Sequence, residues 1–317
     1  MSNSELTQKI FSNDKRFVSR AISIIETGNS NSTELLKNVH ERIGNAYRIG
    51  MTGPPGAGKS TIANQLAKYY RKQNKTVGII AVDPTSPFSG GALLGDRIRM
   101  SEIGSDPGIF IRSMATRGSL GGLSKKTIDA ADILDAAGYD YVIMETVGVG
   151  QSELDIAKAA DTTIVVLVPE SGDSIQAMKA GLMEIANFFV LNKSDRPGAD
   201  NAITALKTIL MLRDHTEKDW LPNILKAIAS ENTGTNEIAE EINRHKEFLT
   251  SQDLLKEKRQ ENYRIRIKEI VETLIREELW KNNREEILNE SLKKVVDGNT
   301  SPYQVAESLF NDFKKDF

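Results

Sequence analysis

Glycine and proline are spread so unevenly along this chain that they divide it before any motif is considered. Twenty of its 23 glycines lie between Gly44 and Gly198, whereas Thr235 to Asp297 contains neither glycine nor proline. Nothing in that second stretch interrupts a helix. Apolar residues recur there at three- and four-residue steps, with Tyr263, Ile267, Ile270 and Leu274 on one line and Val271, Ile275 and Leu279 beside it. Its dense charges of both signs fit solvated helix faces. The segment SRAISIIETGNSNSTELLKNVHERIG reads as two short helices around a Gly/Asn/Ser loop, an N-terminal cap. Between these helical ends, short apolar runs rich in β-branched residues (AYRIGMTG, TVGIIAVD, IFIRSM, YVIMETVG, TIVVLVPE, FFVLNKSD, ILKAIAS) alternate with helical stretches. Such runs predict an α/β fold with a mostly parallel sheet covered by helices on both faces and ligand loops at the carboxyl ends of the strands. The expected organisation is an N-terminal helical extension (1–45), an α/β domain (46–245) and a C-terminal helical region (246–317).

Composition narrows the function classes. Among 317 residues, 41 Lys and Arg against 44 Asp and Glu leave a net charge of −3, no electrostatic footprint for nucleic acid or an anionic membrane. No apolar run is long enough to span a bilayer, and MSNSELTQKIF lacks a basic segment followed by an apolar one, so a cytoplasmic protein is expected. With no Cys and only His40, His215 and His245, far apart, soft-metal chemistry is not expected.

The sharpest motif is Gly53-Pro54-Pro55-Gly56-Ala57-Gly58-Lys59-Ser60, with Thr61 after it, placed between the apolar run YRIGM and the helical stretch STIANQLAKYYRKQ. It matches a phosphate-binding loop in full and in the required strand-loop-helix context. Its glycines let backbone N–H groups turn toward a β-phosphate, Lys59 neutralises β- and γ-oxygens, and Ser60 Oγ can ligate Mg²⁺. Such a magnesium site also needs a carboxylate at a neighbouring strand end, and YDYVIMETVGVGQSE supplies Glu145, where Asp is more usual. Gly148 lets the next loop approach the γ-phosphate. Asp83 and Asp96 flank a Gly-rich loop.

Asn192-Lys193-Ser194-Asp195 ends another strand run, about 130 residues after the phosphate loop. In this pattern the Asp195 carboxylate can accept guanine N1–H and N2–H₂, and adenine, which lacks that donor pair, would leave it unpaired. A second base loop commonly reads Ser-Ala-x-x-Gly. Here Ser230-Glu231-Asn232-Thr233-Gly234 departs from it at Glu231, although the backbone N–H can still serve.

With GPPGAGKST, AVDPTSPFSGGALLGDRIRM, MATRGSLGGLS, METVGVGQSE, VPESGDSIQAMKAG and NKSD in this order, the chain resembles the methylmalonyl-CoA mutase-associated GTPases, the MeaB/ArgK group of P-loop GTPases, over essentially its whole length. The resemblance implies a P-loop GTPase sheet and a GTPase chaperone of an adenosylcobalamin-dependent acyl-CoA mutase, one that gates cofactor delivery and protects or reactivates the mutase. It also implies a homodimer built through the C-terminal helices. By matching positions it assigns Lys59 and Ser60 to the phosphate site, Asp83, Asp96 and Glu145 to the surroundings of magnesium, and Asn192, Lys193 and Asp195 to guanine. Gln176 and Lys179 become switch residues that answer the mutase; on spacing alone they are solvated helix residues. Arg117 is either a phosphate-side cation or an ion-pairing loop residue. Gln151 either orients the attacking water or is an exposed loop side chain. Three alternatives remain, a kinase linked to basic amino-acid transport, a nickel-insertion GTPase and a non-enzymatic helical scaffold that merely holds nucleotide, the last disfavoured by Lys59, Ser60 and Glu145. The guanine pattern disfavours the first, and the lack of His or Cys metal sites disfavours the second.

Overall fold

The structure, a computed structural model, describes residues 3–28, 30–84, 101–116, 122–146, 152–171, 180–211, 219–281 and 283–316. Seven strands form one sheet: β1 Tyr47–Thr52, β2 Val77–Pro84, β3 Ile109–Thr116, β4 Tyr141–Thr146, β5 Thr162–Leu167, β6 Phe188–Asn192 and β7 Ile224–Ala227. Their order is β3-β2-β4-β1-β5-β6-β7, and every pairing is parallel. All residues of β4, β5 and β6 are buried. A strand apolar on both sides can sit only between two covering layers, as the runs predict.

The helices supply those layers. On one face α4 (Lys59–Lys72) and α10 (Thr235–Ser251) bury Ile62, Leu66, Tyr70, Ile238 and Ile242 against Ile49, Met51, Ile164 and Val166 of the sheet. On the other face α6 (Gly122–Ala136) and α7 (Ser152–Ala159) cover β2 and β4. The short α8 (Ala180–Ile185) and α9 (Ala199–Met211) join Val165, Leu167, Phe189 and Leu191 in a third cluster. The one-turn α5 (Ser101–Gly104) precedes β3.

Three N-terminal helices, α1 (Asn3–Phe11), α2 (Lys15–Thr27) and α3 (Ser30–Val39), lie over α6. Leu6, Ile10, Val18, Ile22 and Ile25 share one buried cluster with Ile133 and Leu134. Polar contacts fasten this layer: Lys15 Nζ donates to the carbonyls of Asp106 (2.7 Å) and Ile109 (2.5 Å), and Arg112 pairs with Glu26. The sequence pattern anticipates α2 and α3 but not α1.

Beneath β1 and β4 sits a buried ionic knot. The Asp135 carboxylate accepts the N–H groups of Gly44 (2.9 Å), Asn45 (3.0 Å) and Ala46 (2.9 Å), and also pairs with Arg48 at 3.1 Å. Arg48 reaches Asp132 at 2.7 Å, and its own N–H donates to Asp161 at 2.9 Å. Burial alone would depress the Arg48 guanidinium, but Asp132, Asp135 and Asp161 outweigh it and hold the pKa above its ordinary value. This knot fixes where the chain leaves the N-terminal layer and enters β1.

The chain divides into two compact units, Met1–Lys256 and Glu257–Phe317, with the N-terminal helices inside the first and α10 running unbroken through residue 245. The second unit holds all but the first three residues of α11 (Leu254–Leu279), which carries the whole apolar line, followed by α12 (Arg284–Val296) and α13 (Pro302–Lys314). The buried Arg284 pairs with Asp312 and Asp316 and lies over the Phe313 ring, and Ser301 with Gln304 forms a capping box at the start of α13. The breaker-free stretch is nevertheless interrupted, because Asp253 and Asn283 adopt left-handed φ values of 58° and 62°. Short polar side chains tolerate that region without glycine. Among the described residues no helix is long and apolar enough to cross a membrane.

Replacing Asp135 by Ala removes the acceptor of three backbone N–H groups and half of the Arg48 pairing, so it should lower unfolding free energy by about 3 kcal/mol or more in urea titration. A loss below about 1 kcal/mol would mean that the knot is not needed to hold the linker.

Candidate functional site

The loop 53–58 leaves the carboxyl end of β1 and runs straight into α4, whose N-cap is Gly58. Its two most constrained glycines are positions no other residue fits. Gly53 has φ 134°, and a Cβ there would lie 2.0 Å from the Val166 carbonyl oxygen. Gly58 has φ 91°, and a Cβ would lie 2.2 Å from Asn192 Nδ2. Lys59 is buried at 5% exposure, and its ammonium donates to the carbonyls of Gly53 (2.7 Å) and Pro54 (3.0 Å), which curls the side chain back over the loop. A buried ammonium needs such partners. Pro55 and Gly56 are exposed, and Ala57 is buried. Thr61 occupies the first turn of α4.

Glu145 comes from β4, directly beside β1, with Met51 and Glu145 in register. Ser60 Oγ donates to Glu145 Oε1 at 2.6 Å, so hydroxyl and carboxylate meet at the mouth of the helix. Next to them the hydroxyls of Thr146 and Thr52 bond at 3.1 Å across the same strand pair. Asp83 stands at the carboxyl end of β2, in register with Ala115 of β3. Asp96, Arg117, Gly148, Gln151, Gln176 and Lys179 lie outside the described residues.

At the end of β6, Asn192 is buried and its carboxamide works in two directions. Nδ2 donates to the Ala57 carbonyl at 2.8 Å, and Oδ1 accepts the Ala229 N–H at 3.0 Å. Lys193, in left-handed backbone with φ 56°, extends over the phosphate loop and donates to the Gly56 carbonyl at 2.9 Å. Ser194 anchors the following turn through its N–H and its Oγ, each 3.1 Å from the Ala227 carbonyl, and leaves Asp195 exposed. Ser230 lies exposed in the 3-10 turn Ala229–Glu231. A short antiparallel bridge between Ile228 and Thr233 closes that loop, with Asn232 at φ 59° and Gly234 at φ 84°. The structure therefore brings the phosphate loop, Glu145, the Asn192–Asp195 turn and the Ser230 loop to one edge of the sheet, where each strand ends. Polyphosphate on the loop and helix N-terminus, with a purine against the two turns, is the ligand this arrangement accommodates.

Two contacts are not visible in the sequence. Arg196 pairs with Glu170 at 2.5 Å, and that hydrogen bond holds the Glu170 carboxyl below its usual range. Gln65, on α4, donates to the Ala229 carbonyl at 3.1 Å. Neither belongs to a motif; each is one polar surface residue among many until the fold supplies its partner.

Replacing Gly58 by Ala places a methyl on the buried Asn192 amide and forces a left-handed alanine, so Asn192 must give up one of its two bonds. Affinity for a fluorescent GDP analogue should fall at least about tenfold; wild-type affinity would show that the crowding is relieved without cost.

The family model described as methylmalonyl Co-A mutase-associated GTPase MeaB matches residues 18–284. A protein of Pyrococcus abyssi is 45% identical over 97% of this chain and 96% of its own length. The GTPase ArgK of Escherichia coli is 35% identical over 81% of this chain and 80% of its own. A crystal structure of an LAO/AO transport system kinase aligns with TM-score 0.73 and 27% identity, covering 98% of this chain and 97% of the other. Matched by that model over residues 18–284 and 45% identical to a relative along nearly its whole length, this chain belongs to the MeaB family of P-loop GTPases.

Proposed function

We propose that the chain hydrolyses GTP to GDP and phosphate under the control of an adenosylcobalamin-dependent acyl-CoA mutase, gating cofactor loading and protecting or reactivating that mutase. The observation that carries this reading is the family match over residues 18–284, whose description names methylmalonyl Co-A mutase. It takes in the phosphate loop, the base motif and most of the N-terminal layer.

Within the site, N–H groups of the 53–58 loop cradle the phosphates and Lys59 turns from the Gly53 and Pro54 carbonyls to β- and γ-oxygens. Asn192, Lys193 and Asp195 select guanine, with the backbone of Ser230 above the base. The Ser60 hydroxyl and Glu145 carboxylate, 2.6 Å apart, are hard oxygen donors that suit Mg²⁺, with Asp83 and Asp96 completing its surroundings. Magnesium, when bound, neutralises charge on the transferred phosphoryl group. In-line attack by water then depends on positioning. Gly148 allows the close approach of its loop to the γ-phosphate. Gln151 orients the water, and Gln176 and Lys179 answer the docked mutase. A free enzyme whose catalytic groups await a partner is slow.

The apolar line of α11 supports the homodimer. Ile267, Leu274 and Ile275 are 60%, 58% and 51% exposed at helical spacing, the sort of face that proteins cover. A kinase reading draws on the name of the LAO/AO transport system kinase, but the Asn192–Asp195 motif favours guanine over the adenine of ATP.

Turnover of GTP measured with and without the cognate mutase should differ by at least about tenfold, and equal rates would rule out gating. In sedimentation the wild-type protein should run as a dimer and the Ile267→Glu, Leu274→Glu double variant as a monomer. A double variant that remains dimeric would move the interface away from α11.

A further inference from the structure

The peptide between Ala229 and Ser230 has a controlled orientation. Its carbonyl, that of Ala229, accepts from the Gln65 carboxamide at 3.1 Å. Ala229 is buried, and its own N–H, in the preceding peptide, goes to Asn192 Oδ1 at 3.0 Å. Two side chains from different elements therefore grip consecutive peptides of this turn: Asn192 at the end of β6, and Gln65 on α4, the helix that opens at the phosphate loop. Inside the turn, the Ala229 carbonyl also receives the Asn232 N–H, at a longer 3.3 Å.

A peptide unit is planar and trans, so its N–H points opposite to its C=O. Whatever fixes the Ala229 carbonyl thereby aims the Ser230 N–H, the group that meets the base in the reading above. We propose that Gln65 is a positioning residue for guanine, which orients the Ser230 N–H toward the base by holding the Ala229 carbonyl against the phosphate-loop helix. The inference rests on the guanine reading of the site. The Asn232 N–H restrains the same carbonyl from inside the turn, at the longer 3.3 Å; the shorter bond from Gln65 adds a restraint from outside it, set by α4 before nucleotide arrives. It also ties the distance between the base loop and the phosphate loop to a single rigid helix.

Gln65 is half-buried, so isosteric replacements keep the packing. Gln65→Met retains length without a donor, and Gln65→Glu sets a carboxylate oxygen against the Ala229 carbonyl. Both variants should raise KM for GTP and Kd for GDP, about two- to tenfold for Met and more for Glu, with kcat within about twofold of wild type, because binding to the base is the same in the ground and transition states. Unchanged KM and Kd in both variants would overturn the proposal. So would a fall in kcat matching the rise in KM, which would mark a general disturbance of the phosphate-loop helix. Wild-type protein that fails to bind GDP would overturn the guanine reading itself, and this inference with it.

Discussion

A parallel strand can be reached from its predecessor only through a crossover that packs back with a right-handed turn, and this rule decides where every other feature of the chain can lie. From β1 the chain moves outward past β4 to β2, which puts α4 on one face. From β3 onward each step runs the opposite way along the sheet, so α6, α7 and α9 cover the other face. Because β1 is where the chain first sets out one way and later passes in the other, its carboxyl end is the sheet's topological switch point, the place where such sheets bind ligands. The phosphate loop emerges there, with Glu145 on the adjacent strand and Asn192 two strands away. The first face is completed by α10, which leaves the base loop and returns over β5. Its His245 is held to Thr162 and, through it, to Tyr47, in a buried chain of 2.8 and 2.6 Å contacts.

The opposite end of the sheet is held by charge. Gly44 to Ala46 must turn from a helical layer into a central strand, leaving three N–H groups with no ladder partner. Asp135 takes all three, and Arg48 offsets the cost of burying that carboxylate. Binding loops gather at one end of the sheet and permanent ionic pairing at the other. The carboxyl end is free for ligand because the amino end holds the layers together.

What was legible in the sequence follows the same division. Strands β1 to β7 were readable because runs such as YVIMETVG are apolar on both faces, which only a doubly covered sheet tolerates. Lys59, Ser60, Glu145 and Asn192 stood out because local spacing marks them, and the fold brings all four to one end of the sheet. The helix α1 was not, since NSELTQKIF has only short apolar spacing and its burial depends on α2, α3 and α6. The breaks at Asp253 and Asn283 were hidden because a left-handed residue need not be glycine. Gln65 and Arg196 were invisible for a different reason. A polar residue gains a role from the partner that tertiary structure brings, and the partners here are 164 and 26 positions away.

The internal bonds of the site bear on how it can act. Lys59 donates to the carbonyls of its own loop, Ser60 to Glu145, Asn192 to Ala57 and Lys193 to Gly56. Each of these side chains is therefore already oriented, and in the proposed reaction bringing Lys59 to phosphate and Ser60 to magnesium would exchange one set of partners for another instead of ordering free side chains. Exchange of this kind lowers the entropy lost on binding but also limits the net gain from each contact. Asn192 and Lys193 are placed differently, since their bonds to Ala57 and Gly56 join the Asn192–Asp195 turn to the phosphate loop. The site is thus built from groups that can change partners and groups that tie its turns together, and Asn192, of the second kind, holds the Ala229 turn against the phosphate loop.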